Sequence, residues 1–317
     1  MKRVQSTTKV AGVDVSKRVL DAAVHGHETL IQAANTDAGF AELIGWLRGH
    51  AVTRVGMEAS GGYERGVRAA LQAAGFEVVV HQPLEVRLFA RLKRLRAKND
   101  RLDAQLIAAA TAQVDAVKAA ADPLLNELAE RLTAYEQITD QLAQTKTFRE
   151  HVVLPDLKAM MEGQIIALLR LKRQLLKDLI DRIKARPELL RRWRLLQSLP
   201  GVGPLVAAAL VVRMPELGAM EHGQAAALLG VAPYDRDSGA FKGQRFIGGG
   251  RSRPRRLVYL AALAAKRCDP SLKAFADRLL NHGKAAKLVT TAVMRKLIEA
   301  ANLVLKRNQP WLPHPAN

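Results

Sequence analysis

The chain has 317 residues, enough for two or three domains with a core of their own, and its formal net charge is +19. A positive charge of this size favours a polyanionic partner, above all nucleic acid. No apolar run approaches the roughly 18 residues that a membrane-spanning helix needs. The single cysteine, Cys268, excludes an intrachain disulfide and a cysteine cluster for zinc. Residues 1–6 lack the apolar core of a signal peptide, so we expect an intracellular, cytoplasmic protein.

The first third of the chain predicts an α/β domain. Apolar residues indicate strands over 10–15, 19–24 and 28–34, which short connections would join into a meander. Later segments alternate between the two periodicities, with a helix over 37–49, a strand over 52–57, a helix over 63–74, a strand over 76–80 and a helix that Pro83 opens. Three strands followed by alternating helix and strand is the order of a ribonuclease-H-like domain, which we assign to residues 1–120.

The middle segment, residues 121–196, is rich in Leu, Glu, Lys, Arg and Gln, and Pro155 separates it into two helices. This pattern predicts an antiparallel helical hairpin. Apolar residues recur at threes, fours and sevens along its second helix, at Ile165, Leu169, Leu176, Ile180 and Ile183. Two interpretations remain open, a simple spacer and a coiled-coil arm for oligomerisation.

The last segment, residues 197–317, opens with Leu199-Pro200-Gly201-Val202-Gly203 between two helical stretches. This arrangement is typical of a helix-hairpin-helix. Gly201 and Gly203 would allow a tight turn that presents backbone N–H groups to a phosphate. The alternative is an ordinary turn between two helices.

Four acids are candidates for a metal site. Asp14 is a carboxylate inside an otherwise apolar strand, where a charge needs a cation or hydrogen bonds. Glu58 ends another strand, and ligands gather at the carboxyl ends of strands in α/β domains. Asp100 and Asp103 are three residues apart and share one face if the segment is helical. A two-metal nuclease site needs such carboxylates, which bind Mg²⁺ or Mn²⁺.

Taken singly, each of these acids is more readily explained as a structural residue, because acidic pairs at this spacing usually lie on solvated helix faces. Two neighbouring acids are set aside. Glu64 lies inside the helix that follows Glu58, and we expect Asp21 on the far face of the second strand.

Downstream, Asp237-Ser238-Gly239 precedes a stretch of five arginines interrupted by Gly248–Gly250. Asp-Ser-Gly is often a mere turn. Beside arginines, whose planar guanidinium groups match phosphate oxygens, the Ser238 hydroxyl could attack phosphorus once its proton is removed. Asp235, Asp237 or a metal could supply that activation. The predicted phosphate contacts are Arg245, Arg251, Arg253, Arg255, Arg256, Lys284 and Lys287.

Five motifs occur in the order seen in the DEDD insertion-sequence transposases, the IS-one-ten family, which is related to Piv-type DNA invertases. They are Gly12-Val13-Asp14-Val15-Ser16-Lys17, Glu58-Ala59-Ser60-Gly61, Lys98-Asn99-Asp100-Arg101-Leu102-Asp103-Ala104, Leu199-Pro200-Gly201-Val202-Gly203 and Asp237-Ser238-Gly239. The chain resembles this family from about residue 8 to residue 308. The resemblance implies a RuvC-like domain at 1–120, a coiled-coil insert at 121–196 and a C-terminal transposase domain at 197–317.

The resemblance also implies an activity, that of a DNA transposase or site-specific recombinase in the bacterial cytoplasm, acting at the nucleoid. Asp14, Glu58, Asp100 and Asp103 match the metal ligands of the family, and Ser238 matches the serine that becomes linked to DNA. A structured noncoding RNA, the bridge RNA, would pair with donor and target DNA. Homodimers that assemble into tetramers would place the RuvC-like domain of one subunit beside the serine of another.

Two rival interpretations remain. A hydrolytic nuclease of the RuvC resolvase kind would use the four acids with water as its nucleophile, and it would not need the chain beyond about residue 196. A nucleic-acid-binding protein that has lost catalysis is the other rival, and the complete set of acids argues against it.

Overall fold

The computed structural model describes residues 8–93, 100–115, 122–235, 243 and 245–312, and of residues 100–102 the backbone alone. The chain divides into two compact units, Met1–Ala121 and Asp122–Asn317. The domain divisions expected at 1–120, 121–196 and 197–317 stay predictions. The boundary expected near residue 196 falls inside the second unit. No helix among the described residues is long and apolar enough to cross a membrane.

The first unit contains a five-stranded sheet in the order β3-β2-β1-β4-β5. Strand β1 pairs antiparallel with β2, β2 pairs antiparallel with β3, and β1, β4 and β5 are parallel. The strands are β1 Val10–Val15, β2 Val19–Val24, β3 Leu30–Ala34, β4 Arg54–Glu58 and β5 Glu77–His81. This mixed sheet, with an antiparallel meander beside parallel strands, confirms the predicted ribonuclease-H-like α/β fold.

Helices cover both faces of this sheet, since its parallel part must be buried on both sides. The helices of the first unit are α1 Asp37–Gly49, α2 Glu64–Ala73, α3 Pro83–Leu92 and α4 Asp100–Thr111. One face of the sheet packs against α1 and α2, with Val13, Leu20 and Val55 in a shared core. The opposite face receives α4.

Two glycines allow α4 to approach the sheet closely. A Cβ at Gly12 would lie 2.2 Å from the carbonyl oxygen of Ala104 and 2.3 Å from the nitrogen of Ala108. A Cβ at Gly56 would lie 1.8 Å from the hydroxyl oxygen of Thr111. Gly12 and Gly56 are paired across β1 and β4, so the helix crosses both strands where neither has a side chain.

The second unit is mostly helical, as predicted. Its helices are α5 Pro123–His151, α6 Pro155–Lys184, α7 Pro187–Gln197, α8 Pro204–Arg213, α9 Gln224–Leu229, α10 Ser252–Cys268, α11 Pro270–Asn281 and α12 Ala286–Arg307. A short antiparallel ribbon joins β6 Pro233–Tyr234 to β7 Phe246–Ile247. The core is formed largely by the apolar helix α8 together with residues of α10 and α12.

The predicted hairpin is present, because α5 and α6 pack along each other and turn at Pro155. At its base Leu128, Leu132, Leu179 and Ile183 are fully buried in the core of the second unit. Part of the predicted apolar seam therefore packs within the chain. Large apolar residues at the far end of the hairpin are exposed, namely Phe148, Val153, Leu154, Leu157, Met160 and Ile166.

Candidate functional site

Asp14 and Glu58 lie at the ends of two neighbouring strands, on the face that α4 covers. Val13 pairs with Met57, so Asp14 and Glu58 are the next residues along two strands that lie about 5 Å apart. Because side chains alternate along a strand, Asp14 shares the face of Gly12 and Glu58 shares the face of Gly56. Gly12 and Gly56 let α4 pack closely on the sheet, and each acid lies two residues after the glycine of its own strand.

Helix α4, which packs on this face of the sheet, contains the other two acids in its sequence. Asp103 immediately precedes Ala104, the residue whose carbonyl oxygen lies against Gly12, and Asp100 is the first residue of the helix. Among the side chains that the structure describes, which do not include that of Asp100, no three His, Cys, Asp or Glu groups are close enough to hold a metal ion. Carboxylate oxygens are nevertheless the ligands that Mg²⁺ prefers, so the donor chemistry fits. The four-acid metal site stays a prediction.

Asp21 does not lie on the far face of the second strand, and that expectation was wrong. Asp21 is the direct partner of Asp14 across the β1–β2 ladder, so both side chains point to the face of α4. Its neighbours Leu20 and Ala22 face α1 instead. The Nε2 of Gln32 donates a hydrogen bond of 2.8 Å to the Asp21 carboxylate. Counting the register outward from the tight turn after Val15 would have predicted this pairing.

His81 and Thr111 fasten α4 beside Glu58, a connection that the sequence did not suggest. His81 is the ladder partner of Glu58 and is 6% exposed. The Thr111 hydroxyl donates to the Ile107 carbonyl at 2.6 Å, so it accepts the hydrogen bond of 2.8 Å from the His81 Nε2. Burial lowers the pKa of His81, partly opposed by the Glu85 carboxylate. The imidazole is therefore neutral and carries its proton on Nε2. The only feature of the sequence that could have indicated this connection was a histidine at the end of a buried strand.

The loops that follow Asp14 and Glu58 are joined by one side chain. The Asn35 amide nitrogen donates to the Ser16 carbonyl at 2.9 Å and to the Tyr63 carbonyl at 3.2 Å. Ser16 begins the turn after β1, and Tyr63 precedes α2. Asn35 therefore links the loop that follows Asp14 to the loop that follows Glu58.

Glu64 holds the loop after Glu58 in place. Its carboxylate accepts hydrogen bonds from the Ser60 backbone and hydroxyl, both at 3.1 Å, and from the Gly62 backbone at 2.8 Å. Burial by itself would raise the pKa of Glu64, but these hydrogen bonds stabilise the charged form and lower the pKa below its ordinary value. Glu64 therefore organises the loop, in agreement with its exclusion from the candidate metal ligands.

Ser238 lies outside the residues that the structure describes. The chain segment that contains it is flanked by the β6–β7 ribbon, in which Tyr234 pairs with Phe246 and Pro233 pairs with Ile247. Arg245 forms an ion pair with Asp235 at 2.5 Å. The nucleophilic role of Ser238 stays a prediction.

Two of the predicted phosphate-binding arginines bind groups of the chain itself. Arg251 contacts both carboxylate oxygens of Glu216, at 2.8 and 2.6 Å. Arg255 donates to the carbonyl oxygens of Gly230 and Gly249, at 3.1 and 2.8 Å. Such bidentate and paired contacts occupy much of each guanidinium group, so both side chains hold the connection around the start of α10.

Two more arginines tie α10 to α5. Arg253 lies 3.0 Å from the Glu136 carboxylate, which also receives Arg213 at 3.0 Å. Arg256 lies 2.8 Å from Asp140, and its hydrogen bond lowers the pKa of that carboxyl. The predicted lysines Lys284 and Lys287 are exposed near the start of α12. Contact of these side chains with phosphates stays a prediction.

The predicted helix-hairpin-helix corresponds to α7, a turn and α8. Gly201 has a φ of +73°, and a Cβ there would lie 2.3 Å from the carbonyl oxygen of Ala261 in α10. Gly201 therefore serves the packing of the turn against α10. Gly203 caps the start of α8, and no described atom lies within 4 Å of where its Cβ would be. Of the two glycines, Gly203 is the one with space around it.

Residues 11–154 match the transposase family DEDD_Tnp_IS110, and residues 193–277 match the family described as Transposase IS116/IS110/IS902. The chain belongs to the IS110 family of transposases. This transposase is 26% identical over 319 residues to the pilin gene-inverting protein of Moraxella bovis, covering 95% of its own length and 96% of the relative. The pilin gene-inverting protein of Moraxella lacunata matches with the same identity and coverage.

Among solved structures, this IS110-family chain is similar to RuvC from Thermus thermophilus. In one structure RuvC is in complex with a Holliday junction substrate, with 16% identity, a TM-score of 0.28, and coverage of 33% of this chain and 92% of RuvC. A second RuvC structure gives 18% identity, a TM-score of 0.26, and coverage of 35% and 98%.

Proposed function

We propose that this transposase cuts and rejoins DNA of an insertion sequence through a phosphoserine intermediate on Ser238. The observation that supports this proposal is that one chain contains both family segments. The first segment spans Asp14, Glu58, Asp100 and Asp103, and the second spans Ser238. In the proposed step the serine Oγ forms a bond to phosphorus while the bond from phosphorus to the leaving sugar oxygen breaks. The serine proton is lost and the sugar oxygen gains one. Rejoining reverses both changes, so no outside energy source is needed.

The four acids would hold Mg²⁺, or Mn²⁺, and the ion would stabilise negative charge on the phosphate oxygens. Support comes from the first unit, where Asp14 and Glu58 end neighbouring strands and α4, the helix that contains Asp103, packs closely on the same face of the sheet. The chain's own task there is to hold carboxylates rigidly, for which the His81–Thr111 bond and the Asn35 bridge are suited.

The proposed partners are donor and target DNA together with a structured noncoding bridge RNA. The charge of +19 supports polyanionic partners. The relatives from Moraxella are described as inverting a pilin gene, which is a rearrangement of DNA rather than a simple cleavage. Their similarity along nearly the whole chain favours recombination over the hydrolytic activity of a resolvase.

A homodimer that assembles into a tetramer is the proposed working form. The exposed apolar residues at the far end of the α5–α6 hairpin, among them Val153 at 88% and Met160 at 65%, support a contact between copies there. An assembly of this kind would let the acids of one subunit act beside the serine of another.

The test is to incubate the transposase, its guide RNA and supercoiled plasmids with Mg²⁺, quench with denaturant and map any protein–DNA linkage by mass spectrometry. We expect a linkage at Ser238, its absence in Ser238→Ala, and normal linkage in the control Ser252→Ala, which alters an exposed serine of the same unit. Linkage to another residue, or full recombination by Ser238→Ala, would contradict the proposal. Cleavage without any linkage would favour the hydrolytic rival.

A further inference from the structure

One side of the long helix α6 exposes a row of cations. Arg170, Arg173 and Lys177 are exposed, and their spacing of three and four residues places them on one side of the helix. The row extends over about 10 Å, since each residue of a helix adds about 1.5 Å along the axis. Lys184 lies two turns further on, and its Nζ is 5.5 Å from the centre of the Trp193 ring. We call Arg170, Arg173 and Lys177 the basic face of α6.

The basic face does not hold the hairpin together. The ion pairs between α5 and α6 are made by other residues, since Asp178 of α6 pairs with Arg131 of α5 and Arg182 of α6 lies 2.7 Å from Glu127 of α5. None of the three cations of the basic face forms an ion pair with an acidic residue in the described part of the chain. Their charges are therefore not used to stabilise the fold.

The three cations repel one another. Arg170 and Arg173 are three residues apart, and Arg173 and Lys177 are four apart. Side chains at these spacings are neighbours on a helix, and like charges there destabilise it. Between residues 170 and 184, all of which the structure describes, Asp181 is the only exposed acid, so it offsets one positive charge at most. An anion lying along the row would relieve the repulsion.

The surroundings of the basic face favour phosphate groups over an unpaired base or a lipid surface. Two of its three cations are guanidinium groups, which bind phosphate oxygens in pairs. The exposed residues from 170 to 184 include no aromatic ring on which an unpaired base could stack. Leu171 is the only large apolar side chain exposed in this stretch, at 41%, whereas a helix that lies on a membrane needs an apolar face for the lipid. The apolar face of α6 is already packed in the protein, where Leu179 and Ile183 are fully buried.

We infer that the basic face of α6 binds the phosphate backbone of double-stranded nucleic acid, with one phosphate at each of its three cations. A strand of a duplex carries one phosphate for every 3.4 Å or so of helix axis, so a face of about 10 Å spans about three base pairs. Phosphate contacts carry no sequence information, so the face would position a duplex without selecting its sequence. The inference rests on the proposed function, because a recombinase must hold duplex DNA or the paired parts of a structured RNA.

The salt dependence of binding to two fluorescent probes of one sequence, a blunt DNA duplex and a blunt RNA duplex, tests the inference on the whole chain. The triple variant Arg170→Gln, Arg173→Gln and Lys177→Gln removes the three charges and keeps residues that favour a helix. On B-DNA each phosphate contact contributes about 0.9 to the slope of log affinity against log salt, so the slope should fall by about 2.7. The affinity that the native protein loses between about 50 and 200 mM salt should therefore shrink by about fortyfold in the variant.

Two further variants separate the basic face from charge in general. The matched control Arg267→Gln, Lys273→Gln and Arg307→Gln removes the same charge from exposed side chains on α10, α11 and α12 of the same unit, and it should keep the native slope. Asp181→Lys adds a cation beside the basic face, so the slope should rise by about 0.9. A variant that merely damaged the fold could not add a phosphate contact.

An unchanged slope in the triple variant of α6, or an equal fall in the control, overturns the inference, as does a native protein that binds neither duplex. A fall with one duplex alone supports the inference and assigns the basic face to DNA or to RNA accordingly. A fall in slope without any linkage at Ser238 leaves the basic face standing while the proposed reaction fails. Linkage at Ser238 together with an unchanged slope has the reverse meaning.

Discussion

Gly12 of β1 and Ala104 of α4 are in backbone contact, so close that a Cβ at Gly12 would lie 2.2 Å from the Ala104 carbonyl oxygen. Asp14 follows Gly12 by two residues, and Asp103 precedes Ala104 by one. The backbone contact between Gly12 and Ala104 therefore determines how far apart the backbones of Asp14 and Asp103 lie, although neither carboxylate takes part in it.

Gly12→Ala should disturb the candidate metal site without altering any acid. The added methyl group must push α4 away from the sheet, and overpacking of this kind costs about 1–3 kcal/mol of unfolding free energy or more. We expect a lower melting temperature and a large loss of recombination. Gly45→Ala is the matched control, because no described atom lies within 4 Å of its Cβ position on helix α1. That change should stabilise the protein by about 1 kcal/mol. Normal activity of Gly12→Ala would show that the approach of α4 is not critical.

Asp103→Asn should abolish recombination while nearly preserving nucleic-acid affinity, since it removes a metal ligand and leaves the basic surface intact. Asp21→Asn provides the comparison, because Asp21 lies on the same face as Asp14 but is hydrogen-bonded to Gln32. We expect Asp21→Asn to retain activity. Recombination and Mg²⁺ dependence of both variants are measured in one plasmid assay. Equal loss in the two would add Asp21 to the metal ligands.

Thr111→Val should destabilise the first unit by about 1–3 kcal/mol, because the buried Nε2–H of His81 loses its acceptor while the shape of the side chain is kept. Chemical denaturation monitors the change. Thr145→Val is the control, since Thr145 lies on α5 and its hydroxyl donates only to a carbonyl one turn earlier. If both variants have the native stability, the His81–Thr111 bond does not anchor α4.

Glu64→Gln should lower the free energy of unfolding by an amount that depends on pH, because the charge of Glu64 stabilises the folded protein. The pKa of Glu64 is lowered in the folded protein from its ordinary value of 4.5, so its contribution is complete above that pH and is lost as the pH falls through the folded pKa. The difference in unfolding free energy between the native protein and Glu64→Gln should therefore shrink below pH 4.5. Glu42→Gln, an exposed change of the same type on α1, is the variant measured beside it. A difference that is constant from neutral to acid pH would contradict this account.

Val153→Asp and Met160→Asp should reduce the mass of the assembly in light scattering, since both place charge on the exposed far end of the hairpin. Gln164→Asp, which replaces a polar residue on α6, the helix of Met160, should leave the mass unchanged. Ile183→Asp should instead unfold the base of the hairpin, because Ile183 is fully buried in the core of the second unit. An unaltered mass in all soluble variants would favour the hairpin as a spacer.

The sequence predicted the elements of the first unit well because alternating and helical periodicities follow directly from burial. The strand expected over 52–57 is observed at Arg54–Glu58, and the helix expected over 63–74 is observed at Glu64–Ala73. Periodicity identifies an apolar face but not what covers it. The seam through Ile183 for this reason suggested a partner subunit equally well, although its base packs within the chain.

The candidate site was less accessible to the sequence where it depends on contacts between distant residues. The face of Asp21 follows from the register of a ladder rather than from local composition. Arg253 and Arg256 looked available for phosphate because their partners, Glu136 and Asp140, lie more than a hundred residues away in the sequence. His81 had no visible role until Thr111 was placed against it.

The attachment of α10 to the hairpin has a thermodynamic consequence for nucleic-acid loading. Arg253 and Arg256 are held by Glu136 and Asp140 of α5, and their side chains are 50% and 65% exposed. A phosphate that engages either guanidinium must compete with a carboxylate of α5. Phosphate binding would then weaken the attachment of α10 to α5, and that attachment would weaken phosphate binding by the same coupling free energy. A transposase with nucleic acid bound would therefore hold its hairpin more loosely than one without.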